Sequence, residues 1–291
     1  FTANGPPGFA NCLKISTTTA DTSIAAEERL NLWQRFEGQD LQQLKKGTAS
    51  AEQVTVSFWI KGNAAALYVC ELYDQDNGRS ITQSFAVTTS WNRIELTFPG
   101  DTSDPLDDDI NSSLLVVIWL HAGSDFTGGT FAVNTWNDQT AANRCAVDGF
   151  TSIFDAASNN IYITGVQLEI GATATDFEHR TFGDELALCQ RYYQQQFTFN
   201  GYASNTTTIQ ASAPCIISMR ATPTLSAGGV LTVTDGAANY AQSSLSITGV
   251  TGTPNGISFN APNFSSLTQF RPCMNNGTAS SVGSLAYSAE L

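Results

Sequence analysis

Over much of the chain, hydrophobic side chains recur at every second position in short runs, and turn-forming residues separate the runs. Val54-Thr-Val-Ser-Phe-Trp-Ile-Lys61 is the clearest run. Val54, Val56, Phe58 and Ile60 share one face and Thr55, Ser57, Trp59 and Lys61 the other, the pattern of a half-buried strand. Further strands are predicted at Cys12 to Ser16, Leu30 to Glu37, Ala66 to Tyr73, Ser80 to Val87, Trp91 to Phe98, Leu114 to His121 and Phe131 to Trp136. Asn77-Gly78 marks a hairpin, Pro99-Gly100 stops a strand, and Asp40 to Lys46 reads as a single helical turn or a bulging loop. Strands this short, with no helix of useful length among them, predict a two-sheet jelly roll.

The run Ile161, Ile163, Val166, Leu168, Ile170 alternates strictly on either side of Gly165 and changes phase there, which predicts a bulge in a last strand. Gly171 ends that strand. Asp184 to Gln194 places Leu186, Cys189 and Tyr193 at helical spacing behind a capping Asp184 and predicts a short helix. Beyond it the composition changes. Residues 197–291 hold only two basic residues, Arg220 and Arg271, and are rich in Thr, Ser, Ala, Asn and Gly. Strands are predicted there at Thr206 to Ala211, Cys215 to Met219, Val230 to Thr234, Ser243 to Val250, Gly256 to Phe259 and Ser284 to Ala289, with turns at Gly228-Gly229, Asp235-Gly236, Pro254-Asn-Gly256 and Asn276-Gly277. The expectation is an all-β chain: a jelly-roll sandwich over 1–172, a linker with a short helix over 173–195, and a smaller β domain over 196–291. Strands this polar suit assembly with copies of the same chain.

Charge narrows the functional classes. The 291 residues carry a net charge of −13 with no basic run, which argues against nucleic acid and anionic membrane as partners. The longest apolar run, Leu114 to Leu120, falls far short of the ~20 residues a bilayer span needs. The first residue is Phe1 and not Met, so an ordinary start is expected to lie upstream. The six cysteines stand far apart and read as buried free thiols. With His121 and His179 the only histidines, a multi-histidine metal site within one chain is excluded, and no nucleophile elbow, phosphate loop or zinc-protease motif occurs. The cluster Asp101, Asp104, Asp107, Asp108 and Asp109 reads either as a Ca²⁺ site, since a hard cation wants several oxygens, or as a solvated acidic loop. No other cofactor is expected.

The aromatic residues are more informative. By alternation Trp33 shares a face with Arg35 and Glu37, Trp59 with Lys61, and Trp119 with His121. Each ring falls on the polar side of its strand, as a sugar-stacking surface requires. Trp33, Arg35, Trp59, Lys61, Trp119 and His121 are therefore the candidate glycan-binding residues. The alternative is that a loop, the helix or a neighbouring subunit covers them.

Phe36-Glu-Gly38, Gly47 to Ala51, Val54 to Lys61, Trp91 to Gly100, Ile163 to Gly171, Ala174 to Arg180 and Glu185 to Tyr193 together resemble bacteriophage virion appendage proteins: tail fibres, tail spikes and head fibres. These often carry a jelly roll like that of carbohydrate-binding modules. The resemblance implies a non-enzymatic virion part, a homotrimer assembled in the host cytoplasm that meets other virion proteins and host surface polysaccharide. It implies structural roles at the last strand and hinge for Gly165, Gln167, Glu169, Arg180, Arg191, Tyr192 and Tyr193. Carbohydrate-binding jelly rolls often hold calcium on paired acids of the last strand. Here the corresponding Thr164-Gly165 is neutral. Two other readings stand beside the adhesin: a purely architectural decoration or connector docked by Phe1 to Ala10, and a depolymerase using Glu37 or an acid of Asp101 to Asp109.

Overall fold

Nine strands form in the first part of the chain: β1 (Leu13–Ser16), β2 (Arg29–Glu37), β3 (Val54–Gly62), β4 (Ala66–Asp74), β5 (Arg79–Val87), β6 (Asn92–Phe98), β7 (Ser112–Ala122), β8 (Asn137–Asp138) and β9 (Asn160–Ile170). They appear in a computed structural model that describes residues 2, 4–196, 198–275 and 284–291. The chain divides into two units, Phe1–Glu178 and His179–Leu291.

In the first unit the sheet β1-β9-β3-β6 faces the sheet β2-β7-β4-β5-β8, all neighbours in both being antiparallel. This interleaved order is that of a jelly roll. Val56, Phe58, Ile60, Phe98, Ile161 and Ile163 of the first sheet meet Tyr68, Leu72, Ile81, Phe85, Val116, Ile118 and Leu120 of the second. Phe58 and Phe85 pack edge to face, centroids 5.1 Å apart. Each such buried side chain contributes about 1.5–3 kcal/mol relative to exposure, so this layer holds the sandwich shut.

β7 is apolar without alternation because both its faces are covered. Its even-numbered residues from 114 to 120 face the central core. Leu115, Val117 and Trp119 form a second cluster with Val69, Phe126 and Cys145, the last two carried by the excursion after β7 that opens with the one-turn α1 (Ser124–Thr127). Two single turns, Gly38–Asp40 and Gln42–Leu44, fill the place of the predicted turn or loop. The strand predicted at Phe131 to Trp136 does not form. Asn134 adopts φ 53°, which breaks an extended run, and Val133 makes only an isolated bridge to Thr82.

The bulge in β9 is present. Ser57 pairs with Gln167 and Trp59 with Thr164, so Gly165 and Val166 together stand opposite Phe58. Gly165 takes φ +61°, and a Cβ there would lie 2.6 Å from the Phe9 ring.

The second unit starts with α2 (Phe182–Gln190), which none of its own residues buries. Its cap is Thr181, whose Oγ1 accepts the Asp184 N–H at 3.3 Å, and not Asp184 as predicted; Tyr193 lies beyond it, in a strand. Ten short strands follow: β10 (Tyr193–Gln196), β11 (Asn200–Ala203), β12 (Ile209–Pro214), β13 (Thr224–Ala227), β14 (Thr232–Thr234), β15 (Asn239–Ala241), β16 (Thr248–Thr253), β17 (Gly256–Ala261), β18 (Pro272–Asn275) and β19 (Leu285–Ser288). They make the sheets β10-β19-β13 and β15-β14-β18-β11-β12-β17-β16 around Phe199, Ile209, Val233, Phe259 and Tyr287. Cys215 to Met219, predicted as a strand, is a bend instead. The Asn276-Gly277 turn lies outside the described residues.

All six cysteines are unpaired, four of them buried. Among the described residues no helix is long and apolar enough to cross a membrane.

Gly165→Ala is expected to lower the unfolding free energy by about 1–3 kcal/mol, from the left-handed backbone and the clash with Phe9. A urea titration checks this, and an unchanged midpoint would mean the bulge does not need its glycine.

Candidate functional site

The outward face of the sheet β1-β9-β3-β6 divides into a covered half and an open half. In the covered half, the chain after β9 folds back over the sheet. Glu169 accepts the Thr175 N–H at 3.1 Å and the Thr175 hydroxyl at 2.8 Å. Gln167 donates to Glu169 at 2.7 Å and accepts the Glu178 N–H at 2.9 Å. Arg93 donates to the Thr175 carbonyl, and Phe9 packs on Phe177 with centroids 5.1 Å apart. Burial pushes the Glu169 carboxyl up, but the Gln167 and Thr175 hydrogen bonds and the Arg93 charge outweigh it and hold the group below the usual carboxylate range.

The open half carries one row across the whole sheet. Lys14 of β1 pairs with Tyr162 of β9, Tyr162 with Lys61 of β3, and Trp91 stands just before β6 in the next place. The Lys61 ammonium lies 4.9 Å from the Tyr162 ring centre and 5.0 Å from that of Trp91. The two rings are 6.4 Å apart, edge to face. Lys14 reaches the Tyr162 ring at 5.5 Å. In the adjoining row Thr164, Trp59 and Arg93 stand side by side. All of these but the exposed Lys14 are half-buried. The arrangement sets flat apolar rings beside the ammonium groups of Lys14 and Lys61.

The other expected glycan residues are not part of this surface. Trp33 and Arg35 stand opposite Val117 and Leu115 and so lie on the outward face of the other sheet, with Trp33 57% exposed and the Arg35 guanidinium 4.8 Å over its ring. Trp119 and His121, expected on an exposed polar face, are each 1% exposed, which corrects that expectation. The excursion after β7 covers Trp119, whose Nε1 donates to Glu71 at 2.8 Å beneath the Arg144 guanidinium. A register shift between β2 and β7 separates its surroundings from those of His121, which bonds Ser152 at 2.7 Å and packs on Phe154. Burial pushes the His121 imidazole down, against the pull of Glu28, Asp21 and Asp155. Lys14, Trp91 and Tyr162 were the members missed. Alternation does place Tyr162 outward, between Ile161 and Ile163, but only strand pairing shows which outward residues are neighbours.

Of the hinge residues, Gly165, Gln167 and Glu169 belong to the first unit. In the second, Arg180 makes a half-exposed ion pair with Glu185 at 3.4 Å. Arg191 stacks on Tyr192, and Tyr193 pairs with Ser288.

In the acidic loop Asp101 is engaged by cations of the chain itself. Among the described residues no three His, Cys, Asp or Glu side chains converge as metal ligands. Asp101 is instead bound to Lys46 at 3.1 Å and Arg79 at 2.8 Å. The Lys46 ammonium itself fills an oxygen cage, with Asp74 at 2.6 Å and the Ser103 and Asp104 carbonyls at 2.9 and 2.8 Å. Burial pushes the Asp101 carboxyl up, but the Arg79, Ser103 and Lys46 bonds outweigh it and hold it below the usual range. Glu37, the other acid considered for catalysis, is buried and accepts from Gln39 at 2.6 Å.

No protein-family model matches the chain, and no curated protein matches it. A solved structure titled "CBM4 structure and function" is similar over 54% of this chain and 70% of that chain, with 12% identity and a TM-score of 0.27.

Lys46→Met is expected to cost about 3–5 kcal/mol, because it leaves Asp74 buried without its cation and Asp101 with Arg79 alone. Asp101 is depressed in the folded state, so its contribution is full above the unfolded value of ~3.9 and is lost as pH falls through the lower folded value. Denaturation curves across that range should show the loss in the native chain and a smaller one in Asp101→Asn; equal acid sensitivity would contradict the assignment.

Proposed function

We infer that the first unit is a non-catalytic glycan-contacting module of a phage virion appendage, a tail or head fibre or spike carried as a homotrimer. The observation that carries the glycan reading is the open half-face, where Trp59, Trp91 and Tyr162 stand on adjoining rows beside Lys61, Thr164 and Arg93. A pyranose presents an apolar face that packs on such rings and hydroxyls that bond their polar neighbours. One shallow face of this kind binds weakly, and several copies on one particle raise the avidity without any new contact. The virion assignment rests on the sequence resemblance described above. Other virion proteins and host surface polysaccharide are the partners it suggests.

A depolymerase is the weaker reading, since Glu37 is buried and Asp101 is committed to two cations. A purely architectural role has one observation in its favour: Tyr202 and Met274 expose apolar surface on a common face of the seven-stranded sheet. A particle reconstruction in which the Trp59 and Trp91 face is covered on all sides would favour it.

Trp59→Ala and Trp91→Ala are each expected to weaken glycan binding about tenfold, ~1.4 kcal/mol, with the melting temperature little changed. A glycan array and a cell-adsorption assay on the purified chain check this. Absence of binding to any glycan, or unchanged binding by both variants, overturns the reading.

A further inference from the structure

We propose that the ligand of the open half-face is an anionic glycan, whose acidic groups are received between the Lys14 and Lys61 ammonium groups. This rests on the reading that the face contacts sugar, and adds the class of sugar.

The argument starts from charge. The chain has 26 acidic residues against 13 basic ones, so cations are scarce and acids are available to neutralise them. Most of the cations are used that way: Lys45, Lys46, Arg79, Arg93, Arg144, Arg180 and Arg271 each hold a carboxylate. Lys14 and Lys61 have no ion-pair partner among the described residues. Yet both lean on one Tyr162 ring, at 5.5 and 4.9 Å, and the Lys61 ammonium also lies 5.0 Å from the Trp91 ring centre.

Two like charges drawn to the same ring repel each other, and an anion between them removes that cost. The rings fix where the ammonium groups stand but leave N–H donors unused, because a ring accepts only through its face. The nearest acid on this face, Glu95, lies two rows away and is bound to Arg93 at 3.3 Å. Strands are ~4.8 Å apart, so the backbones carrying Lys14 and Lys61 are ~10 Å apart, with the Tyr162 ring between them. Charge and stacking surface therefore coincide.

The test titrates the full-length chain with uronate-containing oligosaccharides, with the same oligosaccharides after carboxyl reduction, and with sulfated ones. Anionic forms should bind about tenfold or more tighter than their neutral counterparts. That advantage should shrink as salt is raised, since the Debye length is only ~8 Å at physiological ionic strength. Lys14→Ala/Lys61→Ala should abolish the preference and its salt dependence, so that acidic and carboxyl-reduced oligosaccharides bind alike. The uronate and sulfate arms tell which acid is taken. Equal binding of reduced and acidic forms, or a preference that survives in the double variant, overturns the proposal and leaves the sugar reading standing. Absence of binding to every glycan, neutral or acidic, removes the underlying reading as well. The wild-type comparison across salt keeps the proposal testable should the double variant fold poorly.

Discussion

The first unit depends on one extra residue in its last strand. Side chains on a strand alternate, so a single phase can serve only one face. Ile161 and Ile163 must point inward at one end of β9 and Leu168 at the other, and these positions differ in parity. The pair Gly165-Val166 opposite Phe58 absorbs the difference. Without it, either the isoleucines or Leu168 would face solvent. The same shift decides the outward face: Tyr162 and Thr164 point out before it, Gln167 and Glu169 after it. The first pair lies in the open aromatic half, while the second holds down the returning chain. One backbone irregularity therefore both closes the core and divides the surface.

A chain with so few charges places several of them inside. Lys46, Asp74 and Asp101 form a buried ionic group that ties the loop after β6 to the end of β4, and Arg79 extends it. Arg144 and Glu71 fasten the excursion after β7 to the middle of the second sheet, with the Trp119 indole as a further donor. Burial alone pushes the Glu71 carboxyl up, and the Arg144 charge and the hydrogen bonds from Arg144 and Trp119 oppose it. Such pairs add little net stability over an apolar packing, but a loop carrying one has a single low-energy seat, because any other leaves a bare charge in the core. These contacts are better understood as fixing loops than as adding stability.

Much of the first unit was legible in the residues. Val54 to Lys61 forms a strand because its alternation is strict, and the Gly165 bulge follows from a phase change visible in the sequence. The one-sided reading of Trp119 failed because alternation tells which residues share a face and not what covers that face. The covering elements, Phe126 and Cys145, come from a stretch with little periodicity of its own. In the second unit many strands have only three or four residues, too few to show a period, and Cys215 to Met219 has strand-like composition but bends. The open aromatic row was only half legible, because Lys14, Tyr162, Lys61 and Trp91 become neighbours through pairing between residues far apart in the chain.

That last point also bears on where a ligand can sit. A jelly roll has two outward sheet faces, and here they are treated differently. The face of the second sheet is largely filled by its own chain, whose side chains bury Trp119 and carry Arg144 to Glu71. Trp33 stays exposed there, on the edge strand, with the Arg35 guanidinium over it. The first sheet is covered by the 172–178 segment and by Phe9, and beyond them three rings and two lysines stand on adjoining rows. A surface left half-exposed and aromatic suits a partner with its own flat apolar face and polar rim. In the proposed reading a sugar ring supplies both, and an acidic one also brings the charge that Lys14 and Lys61 lack among the described residues.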